Sequence, residues 1–317
     1  MQDQGFLEVT STRNNPHIDP SLHVWGWEVP VYLFLGGLVA GLLILNAYVV
    51  LARRKQQMPT TSGILPILCV PLLAVGLGSL FLDLEYKLHV FRFYTSFQAT
   101  SPMSWGSWIL LFVFATSGLS GLSAYLRTSW PFVERVRSLP LVPALDRFAS
   151  RHERSIAKLN GLLGLALGIY TGILLSNLTA RPLWSSGLFG LLFPISGLST
   201  GAALGAILAR DHHEKENLIR IDVALIGAEL LILGLWILSM ASGNEASRAA
   251  AMLILGGPYT AAFWTLVVGI GLVVPFLLET LALSGRLRET PTAPVLVLVG
   301  GLSLRFILVS AGQGTGY

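Results

Sequence analysis

Eight apolar stretches of about twenty residues each run through this chain, and they leave few folds open. About twenty residues of α-helix cross the hydrocarbon core of a bilayer. Backbone polar groups in that core must be satisfied within the chain, so a spanning segment is a helix or part of a closed barrel. Barrel strands alternate apolar and polar residues, whereas these stretches are continuously apolar. They lie at about 29–52, 64–82, 105–126, 156–178, 188–209, 219–240, 259–283 and 295–311. The expected fold is an all-α integral membrane protein of eight transmembrane helices, arranged as two four-helix bundles. Composition agrees: 53% of the 317 residues are hydrophobic and 12% charged, about half the charged share of a soluble domain.

Charge orients the spans. Fifteen of the 21 Lys and Arg residues fall in one alternate set of connections: Arg53 to Lys55, Arg127 to Lys158, Arg210 to Arg220, and Arg286 with Arg288. Five fall in the other set with the termini: Arg13, Lys87, Arg92, Arg181 and Arg248. Cytoplasmic loops carry the excess of Lys and Arg, so both termini are expected outside, on the periplasmic side of a bacterial cytoplasmic (inner) membrane. The division is then residues 1–28 as an outer-face N-terminal segment and 29–317 as the transmembrane domain. The N-terminus lacks the basic-then-apolar form of a cleavable signal, so the first span is read as an uncleaved insertion signal. The longest connection, 127–155, reads as a solvated surface segment. Glycines four apart (Gly37 and Gly41; Gly164, Gly168 and Gly172; Gly197, Gly201 and Gly205) predict close helix contacts. Pro71, Pro194 and Pro275 predict kinks.

Redox cofactors held by this chain are not expected. The single cysteine, Cys69, cannot supply the four thiolates of an iron–sulfur cluster. All six histidines fall in connections or tails, so no intramembrane haem is expected. No Walker loop or dinucleotide fingerprint is present.

Ionisable residues inside the spans point to function, because a charge near the bilayer centre costs about 2.5–3.5 kcal/mol on insertion scales. Arg305 and Glu229 lie mid-span. With Asn46, Tyr170, Ser196, Ser199, Thr200, Asp222 and Glu279 they outline a candidate proton path. A buried Glu229–Arg305 ion pair that fixes packing is an equally open reading. Asp222 and Glu279, near span ends, are open to snorkelling. The connections on the outer side are rich in aromatic and acidic residues. Trp25, Trp130 and Trp264 suit an interfacial belt, but the carboxylates beside them do not. Glu28 and Tyr32 share a helix face, and His23, Asp83 and Arg181 lie on the same side. Such groups can hydrogen-bond the carbonyls of a quinone headgroup and carry its protons.

Five motifs bear a resemblance. Trp25-Gly-Trp-Glu-Val-Pro-Val-Tyr32 continuing to Gly41, Ser101-Pro-Met-Ser-Trp-Gly-Ser-Trp108, Tyr170-Thr-Gly172, Arg181-Pro-Leu-Trp184 and Ser196-Gly-Leu-Ser-Thr-Gly-Ala-Ala203 stand in the order seen in the polysulfide reductase membrane subunit, or NrfD-like, family. Leu304-Arg305 and Gly312-Gln313 resemble it too. The resemblance implies a cofactor-free, quinone-reactive subunit. Its partner would be a four-cluster iron–sulfur protein wired to a molybdopterin enzyme or multihaem cytochromes. It places Tyr32 and Tyr170 at a site for menaquinone or ubiquinone and gives Glu229 a proton-route role. The partner is expected on 83–104 and 179–187. A secondary transporter and a passive membrane anchor are the alternatives.

Overall fold

The computed structural model describes residues 25–314 except 96, 99, 179 and 180. Among these, eight helices are long and apolar enough to cross a membrane: α1 Glu28–Leu51, α2 Pro59–Asp83, α3 Pro102–Leu126, α4 Glu153–Ser176, α5 Phe189–Leu208, α6 His212–Ala241, α7 Thr260–Leu283 and α8 Thr292–Gln313. No strand occurs among the described residues. Proline opens α2 and α3, where its missing N–H costs no intrahelical bond. The largest boundary difference is in α6, which starts seven residues before the apolar run. Asp211 caps it by accepting the Glu214 N–H at 3.0 Å. The polar His-His-Glu-Lys-Glu-Asn stretch is therefore helical, and His212 and His213 occupy the first turn of a spanning helix rather than a connection.

Pro66 and Pro71 lie inside α2, and Pro194 inside α5. Ahead of Pro275, α7 widens into a π-helical stretch over Phe263–Val273. A proline has no N–H to give the preceding turn, and a wider turn is one way a helix absorbs that loss.

The helices close into two four-membered rings. In the first, α1 packs on α2, α2 on α3, α3 on α4, and α4 on α1; in the second the order is α5, α6, α7, α8 and back to α5. Helices α1, α4, α5 and α8 make the seam, and α1 is the most buried of the eight. Glycine makes the seam possible. The backbones of Gly37 and Gly41 on α1 lie directly against Gly197, and a Cβ on Gly41 or Gly197 would run into the facing carbonyl. The expected small-residue faces are thus packing faces.

Ion pairs gather the basic connections at one end. Lys55 and Arg127 both pair with Glu153, and Lys215 pairs with Glu289. At the other end Trp25 meets the end of α8: Gln313 accepts the Trp25 N–H at 2.8 Å and donates to its carbonyl at 2.9 Å. The connection 127–152 holds two short helices, Val133–Arg137 and Val142–Arg151, and most of its residues are exposed, as a surface segment should be.

Candidate functional site

A cavity of about 390 Å³ opens inside the first ring, at the end away from the basic connections. Four spanning helices and one connection build it. Helix α1 contributes Val29 and Tyr32, α2 the stretch from Leu77 to Asp83, α3 Met103, Ser107 and Leu110, α4 Tyr170 and Leu174; Val90 and Tyr94 come from the connection between α2 and α3. The walls are chiefly apolar and aromatic with a few polar groups, the usual make-up of a small-molecule site. Phe81 and Met103 on its rim are 42% and 49% exposed.

Its polar groups converge. Tyr32 is buried, and its Oη faces the Tyr170 hydroxyl, with Tyr94 beyond, but no hydrogen bond of ordinary length forms at it among the described residues. Buried hydroxyls are seldom left in that state. Tyr170 is held by Trp105, whose ring meets it edge-on at 5.9 Å between centroids. It is also held by Gly106: a Cβ there would occupy the space of the phenol ring. Asp83 is half-buried at the last residue of α2, with Glu28 as its charged neighbour.

The other residues singled out fall differently. Glu28 stands in the first turn of α1 beside Asp83 and does not line the cavity. Arg181 turns to the end of α8, where its Nη1 donates to the Gln313 carbonyl at 2.7 Å; it ties the α4–α5 connection down and is not a wall residue. The reason is distance along the fold: the cavity lies among α1 to α4, while this connection crosses over to α8. His23 lies outside the described residues. Trp25 is more than an interfacial anchor. It lines the cavity, stacks on Trp184 at 5.3 Å, and has both backbone polar groups held by Gln313. The Trp184 Nε1–H donates in turn to the Leu308 carbonyl at 2.7 Å. Tyr94, Ser107 and Gly106 also shape the site, and none of them carries a site signal of its own in the sequence. The motif Ser101–Trp108 contained two of the three. Tyr94 lies in a connection with no periodicity to betray its direction.

A second polar group occupies the other ring. Arg305 enters the seam from α8 and donates from Nη1 to Ser196 Oγ at 2.5 Å and to the Gly301 carbonyl at 3.1 Å, with its guanidinium 5.0 Å from the centre of the Phe193 ring. Glu229 on α6 reaches the same Ser196. The direct Glu229–Arg305 ion pair does not form among the described residues: the Ser196 hydroxyl stands between the charges. Two turns along α6, Asp222 accepts from Ser199 Oγ at 2.5 Å and faces Glu279 of α7. Asp222 Oδ2 and both Glu279 oxygens are buried, and the two carboxyl groups are each other's polar neighbours. Neither carboxylate snorkels; they are 1% and 2% exposed. Glu279 instead floors a second cavity of about 420 Å³ at the basic end, beside Arg288 and Glu289.

Three members of the expected path stand apart: Tyr170 lines the cavity of the first ring, and Asn46 and Thr200 are tied elsewhere. Asn46 donates to the Thr61 carbonyl at 3.1 Å, in the first ring. Thr200 spends its hydroxyl on Ser196 and Gly197 carbonyls of its own helix. A buried carboxylate absent from the expected set, Glu214, accepts from the backbone N–H groups of Thr60 and Thr61 and from the Thr61 hydroxyl.

Fold and cavities together define a multi-pass membrane protein with an aromatic, partly polar chamber in one helical ring and a series of buried ionisable groups in the other. Over residues 14–315 the sequence matches the family described as Polysulphide reductase, NrfD. It is 30% identical to Protein NrfD of Escherichia coli, over 92% of this sequence and 96% of that protein. It is 29% identical to one of the chains of the polysulfide reductase of Wolinella succinogenes (92% and 94%) and 28% identical to one of the subunits of the selenate reductase of Mesobacillus selenatarsenatis (90% and 73%). The protein belongs to the NrfD polysulphide reductase family.

Proposed function

We propose that this protein is the membrane subunit of a respiratory reductase complex, and that it exchanges electrons between the quinone pool and an iron–sulfur partner. The observation that carries the reading is the pair of tyrosine hydroxyls, Tyr32 and Tyr170, set with Asp83 in the wall of an aromatic cavity of about 390 Å³. That site fits a quinone: apolar and aromatic walls for the ring, and hydroxyl donors for its carbonyl oxygens. Relatives named as components of polysulfide and selenate reductases support a place in a multi-subunit complex.

A bound menaquinone or ubiquinone supplies two-electron, two-proton redox chemistry. Tyr32 and Tyr170 would hold the headgroup by donating hydrogen bonds, and Asp83, at the mouth with Glu28 as its neighbour, would pass protons between it and water. Apolar residues around the cavity keep bulk water from the ring. The electron partner is a four-cluster, ferredoxin-like protein docked over 83–104 and 179–187, itself joined to a molybdopterin subunit or a multihaem cytochrome. Both termini face the periplasm and the basic connections the cytoplasm, in keeping with the excess of Lys and Arg. Glu229, Ser196, Asp222 and Glu279 form a proton route through the second ring, rising from the cavity at the basic end.

Purification from the native membrane tests this. A co-purifying iron–sulfur protein and tightly held quinone are expected, with the quinone lost from a Tyr32→Phe, Tyr170→Phe double variant that still assembles. A protein that purifies alone, holds no quinone and binds a polar solute would sink the reading in favour of a transporter.

A further inference from the structure

The connection between α3 and α4 has three distinct faces. Along Val142–Arg151, Val142 and Ala149 are buried, and Asp146 between them accepts from Ser123 Oγ of α3 at 2.8 Å. Leu141, Leu145 and Phe148 share a second face and are 72%, 43% and 52% exposed. Arg147 and Arg151 lie on a third. At 3.6 residues per turn the exposed apolar stripe is about a quarter-turn from the packed face, and the basic stripe is opposite the packed face. The preceding turns expose Phe132 and Leu139 as well. Arg127 and Arg137 have carboxylate partners; Arg135, Arg147, Arg151 and Arg154 have none among the described residues.

We infer that this segment is an in-plane anchor for anionic phospholipid, its apolar stripe seated at the acyl boundary and its basic stripe on headgroup phosphates. Both of its ends are tied to spanning helices, at Leu126 and Glu153, which holds the apolar stripe at the level of the membrane surface. A helix with apolar and cationic faces side by side lies in the interface, and anionic headgroups attract Lys and Arg placed there. The arginines without carboxylate partners select a negatively charged leaflet over a neutral one.

Spin labels on the full-length protein, in vesicles of equal parts phosphatidylglycerol and phosphatidylcholine, read the depth of each face. With Cys69→Ser as background, labels introduced by Leu145→Cys and Phe148→Cys are expected to be accessible to oxygen and shielded from a water-soluble nickel chelate. Labels from Arg147→Cys and Arg151→Cys show the reverse. Nickel access at all four positions overturns the inference, and so does shielding of Leu145 and Phe148 from both reagents, which marks a protein partner. Native mass spectrometry tests the headgroup. Wild type is expected to retain phosphatidylglycerol over phosphatidylcholine, and Arg147→Glu with Arg151→Glu to lower that preference by about fivefold or more. Should the charge reversal misfold, Arg147→Gln with Arg151→Gln gives a smaller loss. An unchanged preference in a folded variant refutes the headgroup contact.

Discussion

At Tyr32 and Arg305 the same helical environment serves opposite ends. Tyr32 turns its hydroxyl into the wall of a cavity, whereas Arg305 spends its two terminal nitrogens on Ser196 and on the Gly301 and Phe193 carbonyls. Tyr32→Phe keeps the ring and removes one donor. A single hydrogen bond contributes about 1 kcal/mol, so the quinone KM is expected to rise about fivefold in a complex that assembles normally. Gly106→Val acts on Tyr170 indirectly, since any side chain there displaces the phenol ring; quinone turnover falls, and Gly106→Ala falls less. Arg305 and Glu229 face each other across Ser196. Removing one member leaves a buried charge, which costs about 3–5 kcal/mol, so Arg305→Leu lowers thermal stability in detergent more than Arg305→Leu with Glu229→Leu. The paired variant separates function from packing: a passive anchor loses no quinone turnover from it, and a proton route through Glu229 does. Glu229→Gln, which retains shape, is expected to lower turnover or proton movement with assembly intact.

Helices in this protein are positioned by small residues and by caps that come from other helices. α1 can approach α5 only because Gly41 and Gly197 meet backbone to backbone. Gly197→Leu therefore separates the two rings and is expected to abolish stable expression in the membrane, read by the yield of monodisperse protein. Glu214 is a cross-ring cap: from the first turn of α6 it satisfies two orphan N–H groups and a hydroxyl at the start of α2. Buried donors left without an acceptor cost about 1–3 kcal/mol each. Glu214→Ala should therefore lower the melting temperature well beyond the effect of an exposed control such as Glu216→Ala, while leaving the cavity chemistry unchanged. Equal melting temperatures for the two variants would show that water replaces the cap.

Across the whole molecule the two polar systems occupy different rings and open at opposite ends, the aromatic cavity away from the basic connections and the Glu279 cavity beside them. Glu279→Gln is therefore expected to slow proton uptake from the basic side, measured with a pH dye in oriented vesicles, without changing quinone affinity; a matched loss of affinity would tie the two systems together. Eight spans, their order and the gathering of basic connections at one end were all legible beforehand. Length, continuous apolarity and charge asymmetry are local properties that a bilayer reads segment by segment. Tyr32 and Asp83 stand at the aromatic ends of apolar runs, and Tyr170 was indicated as a site residue only by the family resemblance; all three line the cavity. Which side chains meet was not legible. Arg181 faces Gln313, Asn46 binds Thr61, Ser196 intervenes between Glu229 and Arg305, and Asp222 finds Glu279. In oil every face of a helix is apolar, so hydrophobic periodicity carries little word of its rotation. Rotation and partner follow from glycine contacts and buried hydrogen bonds between residues far apart in the sequence, and these exist only once the helices have packed.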